Sequence, residues 1–316
     1  MEKHYLASAN TCSGFKNCFE YINPSKNAFT YILKGGPGTG KSTIMKNFAK
    51  KYKELGYDVE LFYCSSDINS LDGVRIPKKH IAIVDGTAPH ITEATMPAIK
   101  EKILNVGAFI KEDIKVNKEV IEKHLNKKNY YYTLAYSYLK TAGQLLKTEQ
   151  ILYKKNKIEN KEDSILKLDI QNSIGSERKL FNSFFSINGI EFLYKENKFK
   201  NKIILKGSLF ENYEKLEVLR KKLNENNYNI VCFLSLFNPQ LIEAIYIEEL
   251  KIIIMAFDPE QDILNNFKNK TIFNKLIKEA GENIAKAKYH HLKVEKYYVK
   301  YSDFKAINNF IKDNIK

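Results

Sequence analysis

Short apolar runs of strand length alternate along this chain with longer stretches whose apolar positions recur every three or four residues, the pattern of an α/β fold. Phe29 to Leu33 is an uninterrupted β-type run, and Ser42 to Leu55 follows with Ile44, Met45, Phe48, Tyr52 and Leu55 on one helical face. Gly56 stands where a helix C-terminus favours glycine. Asp58 to Cys64 predicts the next strand, Ser65 to Arg75 a loop, and Ile81 to Val84 a strand buried on both faces. Ahead of these, His4 to Asn10 reads as a short strand, Gly14 to Ile22 as a short helix, and Asn23–Asn27 as a turn. From Glu93 to about Lys157 the periodicity becomes helical and rich in Lys, Glu and Tyr, and the aromatic stripe from Tyr130 to Leu139 reads as helix packing. Lys154 to Asp163 is polar and suits an exposed linker. Its Asn160-Lys161-Glu162-Asp163 has the spacing of a guanine-reading motif, but no apolar strand leads into it.

The same succession returns in the second half. Ile203-Ile204-Leu205-Lys206-Gly207 matches Tyr31-Ile32-Leu33-Lys34-Gly35, Glu211 to Leu223 takes the place of the helix, and Lys251 to Met255 matches His80 to Val84. Asn229 to Phe237 stands for the Asp58–Cys64 strand, and Leu180 to Ser183 with Gly189 echoes Tyr5 to Ser8 with Gly14. A near-constant offset across strand, helix, strand and strand is the mark of an internal repeat.

Composition narrows the class. At 316 residues with 44% apolar content the chain can hold two domains with their own cores. Its four cysteines, Cys12, Cys18, Cys64 and Cys232, show no paired CxxC spacing, and no apolar run is long enough to span a bilayer. Met1 to Asn10 lacks the apolar core of a secretory signal, so the expectation is a cytoplasmic protein without a membrane partner. The net charge of +14 is almost all lysine spread along the chain, with arginine confined to Arg75, Arg178 and Arg220. Specific readers of bases and phosphates favour arginine forks, so nucleic acid is the less favoured partner.

The chemistry concentrates at Gly35-Gly36-Pro37-Gly38-Thr39-Gly40-Lys41-Ser42-Thr43, which fits G-x-x-x-x-G-K-[ST] between a predicted strand and a predicted helix. Glycines let the backbone wrap a phosphate chain, and the helix that starts here turns its positive end to the same anion. Lys41 is expected to reach the β- and γ-phosphates, and Ser42 to hold Mg²⁺. Asp85 closes the Ile81–Val84 run as a Walker B acid does, which makes it the second expected Mg²⁺ residue. No glutamate follows Asp85, so the water-activating carboxylate of many ATPases is missing from its usual place. Asp67 and Asp72 are candidates to orient a water or an acceptor hydroxyl, Arg75 to neutralise charge in the transition state, and His90 to face the nucleotide. In the second copy Phe210, Asn212, Tyr213 and Glu214 stand for Gly38, Gly40, Lys41 and Ser42, and Ala256 stands for Asp85. That copy is expected to keep the fold and to bind no nucleotide through this loop.

Together, Gly35–Thr43, the block Cys64 to Val74 and Val84-Asp85-Gly86-Thr87-Ala88-Pro89-His90 resemble a family of bacterial ATPases built from two tandem P-loop units. The resemblance implies ATP binding and hydrolysis, carried over onto Gly38, Gly40, Lys41, Ser42 and Asp85. This chain departs from the pattern in lacking a second Gly-Lys-[Ser/Thr] loop. The expected architecture is α/β: tandem P-loop NTPase-like three-layer units with parallel sheets, residues 1–175 and 176–316, each followed by a helical extension, the first at about 93–160. The expected function is a Mg²⁺-dependent ATPase with one active site, ATP as the nucleoside triphosphate, and a substrate or protein partner that the residues leave open. The alternatives are a small-metabolite kinase and a low-turnover ATP-binding switch or scaffold.

Overall fold

The computed structural model describes residues 2–156, 171, 174–197, 199–261 and 267–315, so the Asn160–Asp163 segment lies outside the described residues. The chain divides into two compact units, Met1–Ser8, Asn17–Ala135 and Gly281–Lys316 in one, Ala9–Lys16 and Tyr136–Ala280 in the other. No helix among the described residues is long and apolar enough to cross a membrane.

The first half supplies β1 (Glu2–Tyr5), β2 (Ser8–Thr11), β3 (Gly14–Asn17), β4 (Phe29–Lys34), α1 (Lys41–Glu54), β5 (Val59–Cys64), β6 (Asp67–Ile76), β7 (Ile81–Asp85), β8 (Glu101–Asn105) and α2 (Lys118–Asn156). The second supplies β9 (Glu177–Leu180), β10 (Ser183–Ser186), β11 (Gly189–Phe192), β12 (Asn201–Ile204), α3 (Leu209–Glu225), β13 (Ile230–Leu234), β14 (Ile242–Ile247), β15 (Ile252–Met255), α4 (Lys270–Tyr301) and α5 (Phe304–Asn314).

The sheet of the first unit runs β1-β5-β6-β7-β4-β8. It is mixed rather than parallel throughout, because β6 pairs antiparallel with both β5 and β7. The cause is the short Ser65-Ser66 turn, which can only return the chain antiparallel, since a parallel neighbour needs a crossover. Thus the stretch from Ser65 to Arg75, read as a loop, is mostly strand. Two other expectations change. Gly14–Asn17 is a strand and Phe19–Tyr21 a single 3-10 turn, in place of one short helix. The α-helix begins only at Lys118, and the edge strand β8 and two 3-10 turns, Val106–Phe109 and Glu112–Asn117, precede it. On one face of this sheet α1 buries Ile44, Met45, Phe48, Ala49 and Tyr52 against Leu33, Val59, Val74 and Ile83, and Ile307 of α5 joins the same core. Gly56 ends α1 with φ +79°, and its N–H meets the Lys53 carbonyl at 2.9 Å.

The sheet of the second unit runs β12-β15-β14-β13-β9. Read from the other side, its order and strand senses are those of β1-β5-β6-β7-β4. β13 is parallel to β9 and antiparallel to β14, and β15 is antiparallel to β14 and parallel to β12. Register agrees too: Ile32 faces Val84 as Ile204 faces Met255, and Tyr5 faces Phe62 as Leu180 faces Phe233. Among the described residues β8 has no counterpart in this sheet.

Candidate functional site

β4 and β7 lie side by side and parallel, with Leu33 opposite Asp85, so the loop that leaves β4 and the acid that ends β7 meet at the carboxyl edge of the sheet. The loop turns on Gly38 and Gly40, at φ +73° and +83°, a region that side-chain-bearing residues rarely enter. Gly40 is the N-cap of α1, whose first turn contains Lys41, Ser42 and Thr43, the last of these exposed.

Hydrogen bonds hold the loop in shape. Thr39 donates its hydroxyl to the Gly36 carbonyl at 2.8 Å, and Thr87 donates its own to the Gly35 carbonyl at 2.9 Å, tying the end of β7 to the start of the loop. Lys41, almost fully buried, donates to the Gly35 and Gly36 carbonyls at 2.9 and 2.8 Å. Its Nζ lies 3.6 Å from Asp85 Oδ2, while Asp85 Oδ1 accepts the Thr87 N–H at 2.8 Å. Ser42 Oγ accepts the Leu71 N–H at 3.0 Å, which pins the first turn of α1 to β6. Ser42 and Asp85 are hard oxygen donors, the type that suits Mg²⁺ shared with phosphate oxygens. Among the described residues no cluster of three or more His, Cys, Asp or Glu could hold a metal by itself.

The other candidates separate. Arg75 is not brought to the loop. It sits in mid-strand, paired between Glu60 and Ala82, and its guanidinium binds the buried Glu60 carboxylate at 3.1 Å. Asp67 accepts from Ser70 at 2.8 Å and from Lys288 of α4 at 2.9 Å. Burial works to raise its pKa, but the hydrogen bonds from Lys288 and Ser70 prevail and hold it below the usual carboxylate range. Asp72 is 5% exposed and lies 3.4 Å from His90 Nε2, with the Ser8 hydroxyl at 3.5 Å. Burial, reinforced by Asp85, pushes Asp72 up to about 8, and burial pushes His90 down to about 4. Both shifts favour the uncharged forms, and the His90 ring stacks on Phe19 at 4.9 Å between centroids.

Residues of the C-terminal helices also line the loop, and sequence periodicity did not single them out. A methyl group on Gly36 would stand 2.6 Å from the Tyr298 ring, and one on Gly38 2.7 Å from the Glu295 carbonyl oxygen. Tyr132 of α2 donates its hydroxyl to Ser66 at 3.1 Å, and Tyr131 stacks on His290 at 5.6 Å. The signal that was available is the run of Lys288, His291, Glu295 and Tyr298 at helical spacing, but it looks like any polar helix face until its neighbour is known.

The loop of the second unit is filled by its own side chains. Asn212, in the place of Gly40, donates to the Leu205 and Ala256 carbonyls at 3.1 and 2.7 Å. Tyr213, in the place of Lys41, is buried with its hydroxyl 3.3 Å from Ser235 Oγ. The Glu211 carboxylate lies 2.7 Å from where a methyl group on Gly207 would stand.

A glycine loop between strand and helix, with a buried lysine and an acid from the neighbouring parallel strand, defines a P-loop NTPase-like site. Over an aligned length of 130 positions, which covers 33% of this chain and 74% of the relative, the chain is 28% identical to the nucleoside-triphosphatase THEP1 of Saccharolobus solfataricus. This likeness supports kinship with P-loop nucleoside triphosphatases. No family model and no solved structure matches the chain.

Proposed function

We propose that this protein is a Mg²⁺-dependent ATPase with one working nucleotide site, the Gly35–Thr43 loop, and that residues 176–316 are a second copy of the 1–175 unit that has lost its own. The observation that carries the reading is the loop itself: Lys41 and Asp85 sit 3.6 Å apart at its mouth. The role of the THEP1 relative as a nucleoside triphosphatase supports the same class of substrate. Gly38, Thr39 and Gly40 would offer backbone N–H groups to the phosphates, Lys41 would counter their charge, and Ser42 and Asp85 would hold Mg²⁺, which would supply positive charge against the phosphoryl group being transferred. The shared strand order and register of the two sheets support the duplication, and the side chains that fill the second loop support its loss of function.

A second reading, transfer of the γ-phosphoryl group to a small acceptor, is favoured by one feature: glycine rather than glutamate follows Asp85, while the buried Asp72–His90 pair lies nearby. Steady-state phosphate release with Mg²⁺ and ATP tests the two together. Release without any acceptor supports the ATPase, and turnover only with one member of a metabolite panel supports the kinase. Lys41→Ala is expected to abolish turnover of either kind; undiminished release by that variant would remove the loop from the account.

A further inference from the structure

Phosphoryl transfer spreads negative charge over the γ-phosphate oxygens, and a cation beyond the loop lysine is a recurrent part of fast sites. Arg75 does not supply it, being bound to Glu60 at 3.1 Å. The helix that touches the loop carries another candidate. Along α4, Lys288, Glu295 and Tyr298 fall at spacings of seven and three, which puts them on one face. The lower end of that face lies on the loop. Tyr298 meets Gly36 and Glu295 meets Gly38 so closely that a methyl group on either glycine would overlap them, at 2.6 and 2.7 Å. Two turns earlier on the same face, Lys288 Nζ lies 2.9 Å from Asp67 Oδ1, and both side chains are about one-third exposed, at 36% and 27%. Between them His291 is held below its usual value by burial, then by Lys128 and Lys41, while Asp67 and Asp85 oppose the shift, so it senses the loop lysine and both acids at once.

We propose that Lys288 is the second cation of the nucleotide site, held by Asp67 until a triphosphate arrives and then turned to the γ-phosphate. This rests on the nucleotide reading above. A part-exposed ion pair is weakly held, whereas a γ-phosphate offers more charge than a single carboxylate. Lysine presents a compact charge on a flexible stem, so it exchanges partners without movement of α4. Asp67 is then the holder of this lysine, and its oxygens are taken while the lysine is in place.

The test is calorimetric titration of the full chain, with Mg²⁺, by a non-hydrolysable triphosphate and separately by the diphosphate. Lys288→Ala is expected to lose about tenfold or more in triphosphate affinity, the cost of one charge-assisted contact, with diphosphate affinity unchanged. Lys288→Arg restores most of it. Lys286→Ala, whose Nζ lies 5.9 Å from the Tyr131 ring, leaves both affinities as they were. Equal weakening toward both nucleotides in Lys288→Ala would mean that the residue only fastens α4, and unchanged affinity for both would mean that it never reaches the phosphate; either result overturns the proposal. A native chain that binds neither nucleotide defeats the nucleotide reading itself, and a native chain that binds both leaves the variants to decide the role of Lys288 alone.

Discussion

Asp72 and Glu243 hold equivalent places on β6 and β14, one residue before Gly73, which faces Val84, and Ala244, which faces Met255. Each is buried and takes a serine hydroxyl, Ser8 at 3.5 Å and Ser183 at 2.8 Å. Burial pushes both carboxyls to about 8, from ordinary values of 3.8 and 4.5. In the unfolded chain they are ionised by pH 6.5, while in the folded chain they keep their protons until about 8. The folded state therefore binds more protons in that window, and stability falls as pH rises through it. Buried His90, driven down to about 4, works in the opposite direction, but only below its ordinary 6.5. The expected outcome is a melting temperature that declines from pH 6.5 to 8.5, with a shallower decline in an Asp72→Asn, Glu243→Gln double variant. A native midpoint that rises over this range would show these carboxyls to be ionised in the fold. At this scale Lys41, Ser42 and Asp85 were legible because a motif fixes their spacing. Arg75 was misplaced because a residue taken for loop is free to point at a ligand, whereas in mid-strand it is committed to Glu60.

Among the elements, the contact of α4 with the loop can be tested without nucleotide. Gly36→Ala places a methyl group 2.6 Å from the Tyr298 ring, and no flexible side-chain end is there to yield. It is expected to destabilise the chain by about 1–3 kcal/mol, the usual cost of overpacking, and Tyr298→Ala in the same chain is expected to recover part of the loss, as read from urea midpoints. Additive losses in the double variant would separate the two residues. The elements best read from sequence were those with strong periodicity and a stop signal: α1 was expected over Ser42–Leu55 and runs Lys41–Glu54, ending before Gly56. β6 was missed because its first half, Asp67-Ile68-Asn69-Ser70, has turn composition, and only pairing with β5 and β7 makes it strand. β8 was hidden in a lysine-rich stretch because an edge strand needs apolar residues on few positions. The face of α4 that meets the loop carries no motif; the glycines beneath it, Gly36 and Gly38, were read for phosphate alone, although they also give the helix room.

For the whole molecule, the α/β class was legible from the alternation of apolar runs, but the antiparallel strand in each sheet was not, because strand direction depends on turn geometry as much as on pattern. The agreement of order, sense and register between the two sheets leaves function to the loops that cap them. One loop is glycine wrapped around a buried lysine and packed under α4, and the other is filled by its own Asn212 and Tyr213. The central claim is that a chain with two such sheets has one nucleotide site. Its most direct test is the stoichiometry of Mg²⁺–ATP binding by calorimetric titration. The account predicts one nucleotide per chain, lost in Lys41→Ala and kept at native affinity in Tyr213→Ala. Two nucleotides per chain, none, or a site that survives Lys41→Ala and disappears in Tyr213→Ala would contradict it.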